Sequence, residues 1–237
     1  MIVITGVGRS GTSFLARLYR ELGFDPGGRW LPALNAGYED DEVVEANERV
    51  AHDLGLRFLG GPGPPPTGRW AQTIGRMRRM GRGRSLDRFD TIRPDSVAPT
   101  AERHGDRLRE VASSHVVVKD PRFCWTLAVW LHAGAAIDHV VLSTRSMDAV
   151  IASRRAAGHL RYRTEAAAAK ELTHALGLCF SAIAEHELAH TVVRFPHVLD
   201  RPEELAASLP FPHPLDAAVV IAAVRTAGRR DLVHDWR

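Results

Sequence analysis

The sequence predicts an α/β fold in which a parallel sheet is flanked by helices. Four short apolar runs rich in β-branched residues predict the strands, at about 2–6, 115–119, 138–143 and 191–195. Helical patterns separate these runs, and strands that alternate with helices are typical of parallel sheets. A glycine-rich turn follows the first strand directly, at the strand end where such sheets bind ligands.

The helices follow from apolar periodicity along the chain. Leu15, Leu18, Tyr19 and Leu22 recur at helical spacing, which predicts a helix over 12–22 with one buried face. The same reasoning predicts helices at about 41–55, 123–133, 146–155, 164–187, 201–208 and 214–227. A chain of 237 residues suits one domain with a full core, so we assign residues 1–237 to a single domain.

The stretch over 56–114 is predicted to be an insertion in this domain. It opens with a glycine- and proline-rich run at 60–66, which favours a turn or an extended segment. Seven arginines with interspersed apolar residues follow between Arg69 and Arg88, which predicts a basic amphipathic helix. A polar stretch then leads to the second strand. A basic helix of this kind is most often a solvated face. If it has a function, we expect the insertion to form a lid that orders with ligand; a nucleic-acid arm is the alternative interpretation of its arginines.

Composition narrows the class of protein. The chain carries 31 Lys and Arg against 28 Asp and Glu, a mild positive excess that fits anionic ligands without indicating nucleic acid. No apolar stretch is long enough to span a membrane, and the first residues lack a signal-peptide pattern. Cys124 and Cys179 both lie in apolar surroundings, which fits a reducing compartment. We therefore expect a cytoplasmic protein without a membrane partner.

The turn after the first strand has the composition of a phosphate-binding loop. Gly6 to Ser13 joins a strand to a helix, so backbone N–H groups and the positive end of the helix dipole face one anion. A P-loop NTPase places Lys after the second glycine of its motif, where this chain has Thr12. The nearest cation is Arg9. We therefore predict a P-loop-like sheet that binds a phosphate ester, with a nucleotide-dependent kinase as the alternative.

Further cations follow two other predicted strands. Lys119 and Arg122 stand at the end of the second strand, and Arg145 stands at the end of the third. Ser153 comes two helical turns after Arg145, so both side chains could reach one phosphate. An ordinary ion pair at a helix entry, with Ser153 as a small packing residue, is the alternative.

Taken in order, these motifs resemble the sulfotransferases that use 3′-phosphoadenylyl sulfate, in particular bacterial members with a carboxylate base. The matches lie within about 1–55 and 115–200. Lys119-Asp120-Pro121-Arg122 and Gly37-Tyr38-Glu39-Asp40 resemble segments of such members. Arg145 and Ser153 match the family's 3′-phosphate motif. Its 5′-phosphosulfate loop matches Gly8, Arg9, Ser10, Gly11, Thr12 and Ser13.

The resemblance implies in-line transfer of a sulfuryl group to a hydroxyl or amine, with adenosine 3′,5′-bisphosphate as the product and no metal. It implies Glu39 as the general base; Asp120 is the second choice, because it follows Lys119 at the end of a predicted strand. Arg9, Lys119 and the loop amides would stabilise the leaving phosphate. The catalytic His that one branch of the family carries after its mid-chain Lys is absent, and Asp120 stands there instead. We expect a small-molecule or glycan acceptor; the oligomeric state stays open.

One further motif points elsewhere. His186-Glu187-Leu188-Ala189-His190 matches H-E-x-x-H, in which two His on one helical face bind zinc. The β-branched residues from Thr191 onward predict that the helix ends near His190, which leaves little platform for such a site. A zinc peptidase and a protein that binds nucleotide without catalysis are therefore lower alternatives.

Overall fold

The computed structural model describes residues 1–31, 36–56, 92, 94–157 and 164–228. Four described strands form one parallel sheet, and two very short ones pair as an antiparallel ribbon. The ribbon consists of β2 and β3. In chain order the strands are β1 (Ile2–Thr5), β2 (Trp30–Leu31), β3 (Ala36–Gly37), β4 (Val117–Lys119), β5 (His139–Thr144) and β6 (His190–Arg194).

The helices described alternate with these strands. Several begin at a side-chain cap: the Asp40 carboxylate accepts from the N–H groups of Glu42 and Val43, and Thr164 accepts from that of Ala167. In chain order they are α1 (Thr12–Glu21), α2 (Asp41–Asp53), α3 (Pro94–Ser114), α4 (Phe123–His132), α5 (Met147–Ala156), α6 (Glu165–Glu185), α7 (Pro202–Ser208) and α8 (Ala217–Ala227).

The order of the parallel strands is β4-β1-β5-β6, so the first strand lies inside the sheet. Ile4 is in register with Lys119 on one side, and Thr5 is in register with Leu142 on the other. The chain thus leaves β1 for one neighbour and later returns to the other. The carboxyl ends of three strands meet at this switch point, which is where open α/β sheets bind ligands.

Helices cover both faces of the sheet. Side chains alternate along β1, because Val3 packs in one core cluster while Ile2 and Ile4 pack in the other. The Val3 cluster contains residues of α2, α3, α4, α5 and α6, and the Ile2 cluster contains residues of α1, α7 and α8. The prediction of an α/β fold with a parallel sheet flanked by helices is confirmed at this level.

The helix α3 was not predicted. Its polar sequence predicts the end of the insertion at 56–114, yet Leu108, Val111 and Ala112 are buried in the main core. This part of the chain therefore belongs to the scaffold. The arginine-rich segment at 69–88 and the run at 60–66 lie outside the described residues.

The helices that the structure describes are each too short or too polar to cross a membrane.

Candidate functional site: a glycine loop between two charged clusters

The loop between β1 and α1 needs glycine at two positions. Gly6 has φ +148°, and a Cβ there would lie 2.3 Å from the carbonyl oxygen of Ser143. Gly11 has φ +108°, and its Cβ would enter the Phe195 ring. Both residues let the loop pass close to the ends of β5 and β6. The Ser143 hydroxyl fixes the turn further by donating to the Ser10 carbonyl at 2.8 Å.

The loop also contains a strained residue. Arg9 has φ +80°, in the left-handed region that non-glycine residues seldom adopt. Its Nε donates to the Ser153 hydroxyl at 3.0 Å, so the loop reaches the helix after β5. These two residues are 144 positions apart in the chain. The structure therefore brings together two residues that the sequence analysis assigned to different phosphates.

Arg145 lies beside the same turn. Its Nη1 donates to the Arg9 carbonyl at the long distance of 3.5 Å, and its guanidinium carbon is 6.0 Å from the Phe195 ring centroid. Its Nε is buried and has no hydrogen-bond partner among the described residues, and the same is true of the Ser10 hydroxyl. A buried donor without a partner costs about 1–3 kcal/mol. Both groups are therefore candidates for contact with a bound ligand.

Sequence reasoning missed a third arginine, Arg154. It follows Ser153 on α5, and its Nε lies 3.4 Å from the Gly8 carbonyl oxygen. Glu171 on α6 holds the same guanidinium at 3.5 Å. A cation near a helix C-terminus is so common that its position in the chain carried no signal. Only the fold brings this side chain onto the loop.

We call Arg9, Arg145, Ser153 and Arg154 the arginine side of the site. Burial lowers the pKa of Arg9, and the positive charge of Arg154 lowers it further. Burial also lowers the pKa of Arg145, with a second contribution from Arg9. Burial alone lowers the pKa of Arg154. Guanidinium groups that destabilise one another's charge in this way form a region that favours an anion.

The lysine side of the site, Glu39, Lys119, Asp120 and Arg122, lies at the end of β4. Lys119 is 1% exposed, and its ammonium donates to the carbonyl of Gly37 at 3.1 Å and to the carboxylate of Glu39. Tyr38, which precedes Glu39, has φ +64°. This turn directs Glu39 back towards β4. The structure thus joins two predicted catalytic residues in one ion pair.

Asp120 is fully buried, and both of its carboxylate oxygens accept hydrogen bonds. One accepts from Asn47 Nδ2 at 2.9 Å, and the other accepts from the N–H of Arg122 at 2.9 Å and its Nη1 at 3.1 Å. Asn47 in turn accepts from Thr126 and Trp130. Asn47 was also missed as a site residue, although a buried amide between Val43 and Val50 on an apolar helix face was a usable signal.

The structure lacks the helical geometry that the zinc-peptidase alternative requires of the H-E-x-x-H motif. α6 ends at Glu185, so His186 lies just past the helix, whereas His190 is the first residue of β6. The positive φ of Glu187, +48°, marks the turn between them. The two histidines therefore do not share a helical face, and the motif provides no platform for zinc.

The remaining predicted site residues lie in the loop itself. Gly8 and Ser10 stand in its turn, Gly11 is the N-cap of α1, and Thr12 and Ser13 begin that helix. The first N–H groups of a helix have no intrahelical partner, so this end can donate to an anion. Thr5, the last residue of β1, donates to the Asp120 carbonyl at 3.0 Å, which connects the strand before the loop to the lysine side.

Comparisons with protein-family models, with curated proteins and with solved structures found no match to this chain.

Proposed function

We propose that the chain is a sulfotransferase that moves the sulfuryl group of 3′-phosphoadenylyl sulfate to a hydroxyl or amine of a small molecule or glycan. The observation that carries this proposal is the convergence on one loop of Arg9, Arg145 and Ser153. The 3′- and 5′-phosphates of this nucleotide stand apart, and Arg9 after β1 and Arg145 after β5 offer cations from two separate strand ends.

The donor set fits such a nucleotide. The buried Ser10 hydroxyl and Arg145 Nε have no hydrogen-bond partner among the described residues, and both are groups that phosphate oxygens satisfy. We assign the 5′-phosphosulfate to the loop over Gly8–Ser13 with Arg9. We assign the 3′-phosphate to Arg145 and Ser153. Bound there, the nucleotide supplies an activated sulfuryl group.

The residues of the lysine side would handle the proton. In the proposed transfer the acceptor oxygen or nitrogen bonds to sulfur while the bond from sulfur to the 5′-phosphate oxygen breaks. The proton of the acceptor passes to the Glu39 carboxylate, and the negative charge passes to the leaving phosphate. Two N–H groups of Lys119 hold Gly37 and Glu39, and we assign the third to the leaving oxygen.

Asp120 is the weaker choice of base. Both of its oxygens accept hydrogen bonds from Asn47 or Arg122, and its side chain is fully buried. The same contacts weigh against the kinase alternative, because a kinase needs carboxylate oxygens that can hold Mg²⁺. We assign Asp120 to positioning Asn47 and Arg122.

We also propose that the protein acts in the cytoplasm, because Cys124 and Cys179 are buried free thiols, as is usual in a reducing compartment. The acceptor is left open as a hydroxyl or amine compound.

The test is a calorimetric titration of the chain with adenosine 3′,5′-bisphosphate, AMP and ATP-Mg. We expect the bisphosphate to bind about tenfold or more tightly than AMP, because the second phosphate adds charge-assisted hydrogen bonds. Arg145→Ala should bring the affinity for the bisphosphate down to that for AMP and leave AMP binding unchanged. A preference for ATP-Mg would favour the kinase, and equal losses for both adenosine nucleotides would contradict the 3′-phosphate assignment.

A further inference from the structure

A cluster of metal-ligating side chains lies away from the glycine loop, where α4 and α6 end. His132 is the last residue of α4, Glu185 is the last residue of α6, and His186 follows it. One ligand atom from each of the three lies within 4.8 Å of the others. The two helices pack in the same core cluster, so their ends are held at a defined separation.

The spacing of the two imidazoles matches that of metal ligands. His186 Nε2 lies 3.3 Å from His132 Nδ1, and the ring centroids are 4.9 Å apart with the rings nearly perpendicular. Two nitrogens bound at about 2.0–2.1 Å to a tetrahedral zinc ion stand about 3.3 Å from each other. A carboxylate oxygen of Glu185 lies within 4.8 Å of a ring nitrogen of each histidine and offers an oxygen ligand.

The backbone fixes one partner of the pair. After α6 the N–H of His186 donates to Ala182 at 3.2 Å, and that of Leu188 donates to Ile183 at 2.9 Å. His132 Nδ1 also lies 2.9 Å from the carbonyl oxygen of Ala128. A proton on His132 Nδ1 therefore bridges towards Ala128 and His186 when no ion is bound. A metal ion between the two rings would take the place of that proton.

We propose that His132, Glu185 and His186 form a binding site for a zinc-type divalent metal that joins the end of α4 to the end of α6. Two His and one Glu make a donor set that zinc accepts, with a fourth position left for water. His132 and Glu185 are exposed, so an ion reaches the site from solvent without opening the core.

This site differs from the one that the H-E-x-x-H pattern suggests. It uses His186 from that pattern but pairs it with a histidine of another helix. His190 lies in β6, where its Nδ1 is 3.2 Å from the Leu188 carbonyl. His190 is therefore a matched control, because it belongs to the motif and not to the cluster.

The experiment is a calorimetric titration of Zn²⁺ into tag-free chain that has been stripped with chelator. The wild-type chain should bind one ion per chain at this site, and Co²⁺ bound there should show tetrahedral absorption. His132→Gln and His186→Gln should each lower the affinity about tenfold or more. Glu185→Gln should lower it too, whereas His190→Gln should leave it unchanged.

Thermal unfolding provides a second measurement of metal binding at this site. Zn²⁺ should raise the Tm of the wild-type chain and of His190→Gln, because the ion binds the folded state, but not that of His132→Gln. Wild-type affinity in His132→Gln or His186→Gln would overturn the proposal, as would a loss of binding in His190→Gln equal to theirs. The readout is metal binding, so its failure and that of the proposed sulfotransferase activity are distinguishable.

Discussion

The cations on the two sides of the loop differ in their surroundings. On the lysine side each cation contacts a carboxylate: Lys119 contacts Glu39, and Arg122 contacts Asp120 and Glu48. On the arginine side Arg154 contacts Glu171, yet burial lowers the pKa of Arg9 and the positive charge of Arg154 lowers it further. The hydrogen bonds of Arg145 and Arg154 to the loop, at 3.5 and 3.4 Å, are also long.

This difference indicates that the two sides have different roles. On the lysine side, ion pairs between cations and carboxylates hold the side chains in place whether or not a ligand is present. This suits a base that must be positioned. Buried cations that repel one another are stabilised when an anion binds, because the ligand adds negative charge beside them. The arginine side should therefore determine affinity, and the lysine side should determine turnover and stability.

Glu39→Gln is expected to have the largest effect. Its amide oxygen can still accept from Lys119, so the turn should keep its conformation, but it cannot take the proton of the acceptor. Turnover in a sulfuryl-transfer assay should fall by about two to four orders of magnitude while the affinity for adenosine 3′,5′-bisphosphate stays unchanged.

The control for this variant is Asp41→Asn, which removes an exposed carboxylate two positions away. It should keep wild-type turnover. If Glu39→Gln is as active as this control, another residue is the base. If Glu39→Gln binds the nucleotide more weakly, the lysine side also determines affinity and the proposed difference between the two sides is contradicted.

Asp120→Ala should have the largest effect on stability. It leaves Arg122 and the Asn47 amide without their buried acceptor, and breaking a buried pair on one side costs about 3–5 kcal/mol. Urea unfolding followed by circular dichroism measures the loss. Glu45→Ala, which removes an exposed pair with Arg49, should cost less than about 0.5 kcal/mol.

If Asp120→Ala unfolds at the same urea concentration as Glu45→Ala, the buried hydrogen bonds of Asp120 with Asn47 and Arg122 do not stabilise the fold. Activity per folded molecule separates the two roles of this residue further. If Asp120 only positions other residues, the variant should keep some turnover at a low temperature, where it is folded. If Asp120 is the base, the variant cannot carry out the proton transfer.

The sequence could predict those features of the fold and site that depend on residues close together in the chain. The strand, loop and helix over 2–22 could be predicted, because apolar periodicity and glycine spacing are properties of neighbouring residues. The four parallel strands followed from the same reasoning. The predicted residues Arg9 and Ser153 meet in the fold, although their roles as phosphate ligands stay predictions.

The misses were residues whose environment comes from distant parts of the chain. α3 has a narrow buried stripe, including Leu108 and Val111, among many charged residues, so its composition resembled that of a polar linker. Arg154 looked like any cation near a helix end. His186 belonged to a zinc motif in sequence, but the turn at Glu187 separates it from His190. In each case tertiary packing decided.

The smallest expected effect tests the arginine side through its unpredicted member. Arg154→Gln removes a cation from beside the Gly8 carbonyl, in the part of the loop assigned to the 5′-phosphate. AMP and adenosine 3′,5′-bisphosphate share that phosphate. Both affinities should therefore fall by a common factor of about ten, the equivalent of one charge-assisted hydrogen bond.

The neighbouring Arg155 provides the matched control. It is exposed and pairs with Glu165, away from the loop, so Arg155→Gln should bind both nucleotides like the wild-type chain. A loss confined to the bisphosphate would move Arg154 to the 3′-phosphate beside Arg145. Unchanged binding would mean that Glu171 holds Arg154 as a structural pair, and the arginine side would then reduce to Arg9, Arg145 and Ser153. The common factor is the result expected of a cation that belongs to the loop, because the 5′-phosphate is the charged group that both nucleotides share.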